Sequence, residues 1–229
     1  ARRQRQMCIR DRSMSAIYGT GYKRAPDGQI VYGEDGYPLL ADDLIYLGDS
    51  NPKGKGSFGT EIKYKGISLN ILFDGQFGGK GYSFTNAMLM EHGKHEKTLS
   101  GRYNGIIGDG VIENPDGTYR KNDVVAEEIW TYYTRHGGRE NLEGSMFNTD
   151  FLKLRELTLS YSFPARICKK IGMRKLSVGI YGRDLFMITN WPAFDPEFGT
   201  LNNGTIDKGF EIAQFPATRN FGVKLNIEF

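Results

Sequence analysis

The chain has 229 residues and a formal net charge of +3, with 30 glycines, 13% aromatic residues and two cysteines. No apolar run reaches the ~20 residues that a membrane-spanning helix needs, and the glycine and aromatic enrichment argues against a helical domain. Many short strands joined by glycine turns and bordered by aromatic residues give such a profile.

Arg2 to Arg12 read RRQRQMCIRDR, which looks like the translation of a widely used transposase sequencing adapter rather than a basic arm for nucleic acid. We expect residues 1–12 to be adapter-derived and set them aside. Without the five arginines and one aspartate of this segment the net charge falls from +3 to −1. Cys8 goes with it. Cys168 alone builds no internal disulfide framework, and nothing has the spacing of a zinc site.

Ile17 to Leu47 carries two Asp-Gly turn signals around the apolar run Ile30 to Tyr32, and we expect an irregular, solvent-exposed hairpin segment. Ser57 to Tyr64 alternates loosely and Lys65-Gly66 supplies a tight turn. Ile67, Leu69, Ile71 and Phe73 then share one face of a second strand, whose polar face is broken by Leu72. Gly75 to Asn148 is far longer than an ordinary connection. It is expected to be a long polar loop holding one short helix over Asn122 to Arg135, capped by Asn122 or Asp123.

Phe151 to Phe163 gives a third strand. Leu152 and Leu154 have one parity while Leu157, Leu159, Tyr161 and Phe163 have the other, which predicts a bulge near Arg155 or Glu156. Pro164 ends the strand, and a compact turn through Gly172 leads into a fourth, about Lys175 to Ile188. There Leu176, Val178 and Ile180 are expected to face outward, and Ser177, Tyr181 and Arg183 inward. A second long loop, Thr189 to Ala217, precedes the terminal strand Thr218 to Phe229, in which Phe221, Val223, Leu225, Ile227 and Phe229 alternate with polar residues.

Short turns alternate with long loops, the order of a transmembrane barrel with its short turns and its C-terminus on the periplasmic side. The fold class expected is all-β: a partial transmembrane antiparallel β-barrel of about five C-terminal strands with long extracellular loops and one short loop helix. Five strands do not close a membrane barrel, since the smallest have about eight. Residues 13–229 are therefore expected to be the C-terminal part of a longer protein.

Several ordered motifs together resemble the barrel of SusC/RagA-type TonB-dependent receptors. They are Phe151-Leu-Lys-Leu-Arg-Glu-Leu-Thr-Leu-Ser-Tyr161, Tyr181-Gly-Arg-Asp-Leu-Phe186, Asp195-Pro-Glu197, Pro216-Ala-Thr-Arg219 and the aromatic end, with Tyr46-Leu-Gly-Asp-Ser-Asn-Pro52 and Asp74-Gly-Gln-Phe-Gly-Gly79 upstream. The resemblance implies TonB-dependent import of a nutrient, an oligosaccharide or a peptide, across the outer membrane of a Bacteroidetes-type bacterium. It also implies a SusD-like surface lipoprotein, TonB and the barrel-insertion machinery as partners, with TonB reached through an N-terminal region that this chain lacks. Phe229 resembles the terminal aromatic that the insertion machinery reads; a lipid-facing girdle residue is the other reading.

Trp130, Tyr132, Tyr133, Trp191 and Tyr103 fall in the expected outer loops, where aromatic faces can stack on sugar rings; packing within the loops is the alternative. His92 and His95, beside Glu91 and Glu96, lack further ligands for a metal. Asp109 to Gly117 lacks the acidic spacing of a calcium loop, and Gly78 to Gly81 lacks that of a phosphate loop. With no nucleophile or paired-carboxylate site, the expectation is no enzyme, no cofactor, no metal and no nucleic-acid partner. A secreted β-sandwich binding module is the rival reading, because it would bury the same apolar faces.

Overall fold

A computed structural model describes residues 13–198, 201–202, 205–206 and 208–229. The adapter-like segment, residues 1–12, lies outside the described residues. The chain forms two compact units. One draws on residues through Asn51, Gly79–Asn148 and Glu197–Gln214; the other on Pro52–Gly78, Thr149–Pro196 and Phe215–Phe229.

The second unit is built on five long strands: β1 (Gly54–Tyr64), β2 (Ile67–Phe77), β3 (Phe151–Ser162), β4 (Lys175–Thr189) and β5 (Asn220–Glu228). They form one antiparallel sheet in the order β5-β4-β3-β2-β1. Lys65 and Gly66 both have positive φ, 46° and 88°, the backbone of a two-residue hairpin turn that matches the twist of its strands. Pro164 ends β3 as expected, and a helix, α3 (Ala165–Lys170), occupies the turn before β4.

The bulge predicted near Arg155 is present. The register of β3 against both β2 and β4 shifts between Leu154 and Glu156. Between the same apolar rows β2 has one residue (Leu72), β3 has two (Arg155, Glu156) and β4 has three (Arg183 to Leu185). Each strand thus carries one residue more than its neighbour, and Asp184 takes up the extra length in β4 with a positive φ of 52°.

The first unit corrects three expectations. Ile17–Leu47 is no exposed hairpin: Ile17, Val31, Tyr32 and Leu47 are buried. Ala16–Gly19 pairs with Ile45–Asp49, and Val31–Tyr32 with Val111–Glu113. The stretch after Gly75 is likewise no plain loop. β2 runs on to Phe77, Lys80–Ser83 pairs with Met146–Asn148 and Phe210–Glu211, and two helices follow, α1 (Phe84–Glu91) and α2 (Ile129–Gly137). α2 starts at Ile129 behind Glu128, well after the predicted Asn122 cap. Asn122 is instead buried, and its side-chain amide donates to the Gly108 carbonyl at 2.9 Å; Val125–Ala126 is a short strand. The local sequence looked capped because Asn122 bonds a nearby backbone group, but tertiary pairing claims it.

This unit has its own core, with Tyr32, Met90, Ile112, Ala126, Tyr132 and Tyr133 in one cluster. α1 begins on a buried carboxylate. Glu211 accepts from Ser83 Oγ at 2.9 Å, from the Thr85 amide at 3.1 Å and from Thr85 Oγ1 at 2.6 Å, at the helix end where negative charge is favoured. At the end of α2, His136 lies among tyrosines. Tyr22 donates to the His136 carbonyl at 2.6 Å, Tyr32 Oη sits 3.1 Å from Nε2, and the Tyr132 ring centroid is 4.5 Å from the imidazole.

Burial pushes the His136 imidazole down to about 4. The unfolded chain takes up this proton near a pH of roughly 6.5, so it binds the extra proton between the two values. Stability of this unit is therefore expected to fall as pH drops from roughly 6.5 to 4, by on the order of 3 kcal/mol once fully expressed. Thermal unfolding followed by the near-ultraviolet dichroism of the tyrosines, for the parent chain and for His136→Gln, reads this difference. Parallel pH profiles for the two proteins would refute it.

Candidate functional site

The five long strands carry an apolar face in continuous cross-strand rows. Near the short turns, Tyr64, Ile67, Tyr161, Val178 and Leu225 are register partners in sequence across the sheet. The next row is Ile62, Leu69, Leu159, Ile180 and Val223, wholly aliphatic. Two rows further along, Phe58 pairs with Phe73, Phe73 with Leu154, and Leu154 with Phe186. Aromatic residues thus border an aliphatic middle.

This face is bare within the described residues. Ile180 is 59% exposed, Val223 72%, Phe221 75% and Phe58 66%, where a soluble sandwich would bury them under a second sheet. From Leu176 to Ile188 the face runs about 40 Å at roughly 3.3 Å per residue, or about 30 Å at the ~40° tilt of a barrel strand. That length matches the hydrocarbon thickness of a bilayer.

The bulge keeps the face continuous. Without an extra residue at Arg155, Leu152 and Leu154 would lie on the side opposite Leu157, Leu159 and Tyr161, because side chains alternate strictly along a strand. With it, Leu152 opposes Ile188 and Leu157 opposes Gly182, both on the apolar side.

The opposite face is polar. Arg183 pairs with Glu156 directly across the ladder at 3.3 Å, Ser68 bonds Glu61 at 2.9 Å, and Asn226 donates to Ser177 at 3.3 Å. The Tyr181 ring lies over its partner Gly222, where a Cβ would come within 2.5 Å of ring atoms. Leu72 is apolar on this face, as the sequence indicated, and Phe151 and Met187 share the face through their register with Gln76 and Lys153.

At the bulge the polar face holds two ion-pair groups. Arg155 reaches Asp74 on β2 at 2.8 Å and Asp184 on β4 at 3.1 Å, joining three strands at the point where their register shifts. Lys153, almost fully buried, meets Asp195 at 2.6 Å and sits 4.7 Å from the Phe151 ring centroid. Lys153, Asp184, Phe186, Asp195, Pro216 and Arg219 line one cavity of about 140 Å³. Four motifs separated in sequence therefore meet at one place. The motifs do not reveal this pairing in the sequence; an aspartate and an arginine at strand-interior positions, Asp74 and Arg155, are the signal it carries.

The aromatic candidates separate by environment. Tyr132 and Tyr133 are buried, their rings 5.2 Å apart and edge to face, inside the first unit's core. Tyr133 also donates to the Ser100 carbonyl at 3.1 Å. Trp191 is buried in the other unit. Tyr103 and Trp130 are open to solvent, at 97% and 59% exposure, and Trp130 borders a hollow of about 310 Å³ with His92, Arg102 and Tyr133. Phe229, just past β5, is exposed. Among the described residues no group of three or more His, Cys, Asp or Glu is placed to hold a metal.

Removing one partner of a buried ion pair strands the other charge and costs about 3–5 kcal/mol. Lys153→Ala and Asp195→Ala are each expected to lose stability on that scale in denaturant unfolding from detergent, while the double variant loses less than the sum. Additive losses would mean that the two side chains do not act as a pair.

No family model matches the chain. The chain is 24% identical to TonB-dependent receptor P3 of Formosa agariphila over 99% of its own length and 23% of the receptor's. It is 24% identical to TonB-dependent receptor P39 of the same organism, over 82% of the chain and 17% of that protein. Among solved structures, the RagAB peptide importer in its closed-closed state superposes with a TM-score of 0.60 at 16% identity, over 93% of this chain and 23% of the other. The RagAB peptide transporter gives 0.60 at 17% identity over the same shares. The chain spans about a quarter or less of the length of these proteins, and the names they carry are those of receptors and importers rather than enzymes. The exposed apolar band and these likenesses agree: the chain is homologous to TonB-dependent outer-membrane receptors, and its long strands have the fold of one stretch of their barrel.

Proposed function

We propose that this chain forms the C-terminal wall of a TonB-dependent importer that takes an oligosaccharide across the outer membrane, working with a SusD-like surface lipoprotein. The observation that carries the reading is the exposed apolar band over five strands of spanning length, backed by a hydrogen-bonded polar face. The band faces lipid and the polar face lines the barrel interior. The long connections lie on the extracellular side, opposite the short turns. TonB engages a part of the protein outside this chain, and Phe229 serves the insertion machinery. Residues 1–12 play no part, being adapter-derived. A peptide cargo is the second reading, favoured by the likeness to the RagAB peptide importer.

Within the first unit, Trp130 and Tyr103 are the aromatics free to stack on a sugar ring. Tyr132 and Tyr133 support substrate recognition indirectly, by holding the surfaces that bear it, and Trp191 serves the packing of the second unit.

Charge placed on the two faces tests the membrane reading. Ile180→Arg, in the aliphatic middle row, is expected to cost about 2–4 kcal/mol of folding stability in a bilayer, whereas Ser160→Arg, on the polar face, is tolerated. Unfolding titrations in lipid vesicles, with each substitution carried in a barrel closed by the further strands, measure both. A parent chain, residues 13–229, that stays a soluble monomer without detergent and melts cooperatively would count against the barrel and for the β-sandwich module. For the aromatics, Tyr132→Ala is expected to unfold the first unit, at about 3–5 kcal/mol. Trp130→Ala leaves the melting unchanged and lowers oligosaccharide binding by isothermal calorimetry; unchanged binding would remove Trp130 from the site.

A further inference from the structure

At one end of the long sheet the two short connections and the end of β5 come together. The Ser162 amide donates to Gly66 in the first turn at 2.8 Å, the Phe163 amide to Leu176 at 2.9 Å, and the Arg174 amide to Glu228 at 2.7 Å. This end is strongly cationic. Lys63 is matched by Glu61 at 2.9 Å and Arg174 by Glu228 at 3.7 Å. Lys65, Arg166, Lys169, Lys170 and Lys175 have no carboxylate partner among the described residues.

α3 carries most of that charge and is amphipathic in an unusual sense. Its one buried residue is Cys168. Ile167 in the helix and Ile171 just past its end are 46% and 51% exposed beside Arg166, Lys169 and Lys170. Exposed isoleucines among lysines are wasteful facing water. They are the composition of a helix lying in a membrane interface, where apolar side chains enter the acyl boundary and cations meet headgroup phosphates. The apolar band ends at this level, with Tyr64, Tyr161 and Phe163 as its aromatic border.

We propose that this end of the sheet is a docking surface for anionic phospholipid headgroups of the periplasmic-facing leaflet, with α3 as its centre. Charge complementarity and continuity with the apolar band select this occupant, and the inference rests on the barrel reading above. Each lysine or arginine near an anionic surface contributes attraction, so five together favour an anionic headgroup far more than one would.

The test takes the chain within its closed barrel in neutral detergent and offers phosphatidylglycerol and phosphatidylcholine together, counting retained lipids by native mass spectrometry. Phosphatidylglycerol is expected to be retained over phosphatidylcholine by about fivefold or more. The preference should collapse in R166E/K169E/K170E and in high salt, and should survive in K53E/K55E at the other end of β1. A milder variant, K169Q/K170Q, keeps the test open if charge reversal prevents folding, and should weaken the preference. Equal retention of both lipids, or a preference that persists in both α3 variants, would overturn the proposal. So would capture of soluble polyglutamate without lipid preference, which would assign the patch to an acidic protein. A chain that retains neither lipid and stays soluble without detergent fails at the barrel reading itself, an outcome distinct from embedding without headgroup preference.

Discussion

Hydrocarbon offers no hydrogen bond to a peptide group, and this constraint governs the long sheet. Each N–H and C=O within the membrane must find its partner on a neighbouring strand, so the strands must be long, regular and in register. The side chains facing lipid must meanwhile be apolar at each second position. A strand of 15 residues such as β4 can satisfy both demands only if its alternation is never lost along the way.

The bulge at Arg155 shows how the fold meets a conflict between those demands. Successive strands carry one, two and three residues across the same interval, which turns the sheet locally while the apolar rows stay on one side. A bulge leaves backbone groups and spare length to be held. Arg155, bonded to Asp74 on one side and Asp184 on the other, pins the irregularity, and the Lys153–Asp195 pair sits beside it. The charged residues of these motifs brace the long sheet at the level where its register shifts.

The first unit obeys the opposite physics. Its strands are two to five residues long, too short to span anything, and its stability comes from a water-excluding tyrosine-rich core. Two of its buried polar groups find partners within it: Glu211 accepts from three donors at the start of α1 and from the Gln214 amide, and His136, kept neutral by burial, lies against the Tyr22 and Tyr32 hydroxyls. Such a unit can carry exposed recognition residues because buried ones hold its shape. Tyr132 and Tyr133 do the holding, while Trp130 and Tyr103 stay open to solvent.

The sequence by itself determined the long strands, their faces, the Lys65-Gly66 turn and the parity break at Arg155. Those features follow from a period of two and from turn chemistry, both local along the chain. It also carried the motifs that pointed to the receptor family. Only the tertiary structure decided that the stretches before Asn51 and after Gly79 share a core, and that α2 begins at Ile129 rather than Asn122. It alone sorted the five aromatics into buried and exposed. Burial depends on contacts between residues as distant in sequence as Tyr32 and His136, or Ser83 and Glu211, and no periodicity records which distant segment a side chain will meet. The ion pairs at the bulge were hidden for the same reason: Asp74, Arg155, Asp184 and Asp195 become neighbours only when strands from separate parts of the chain are laid in register.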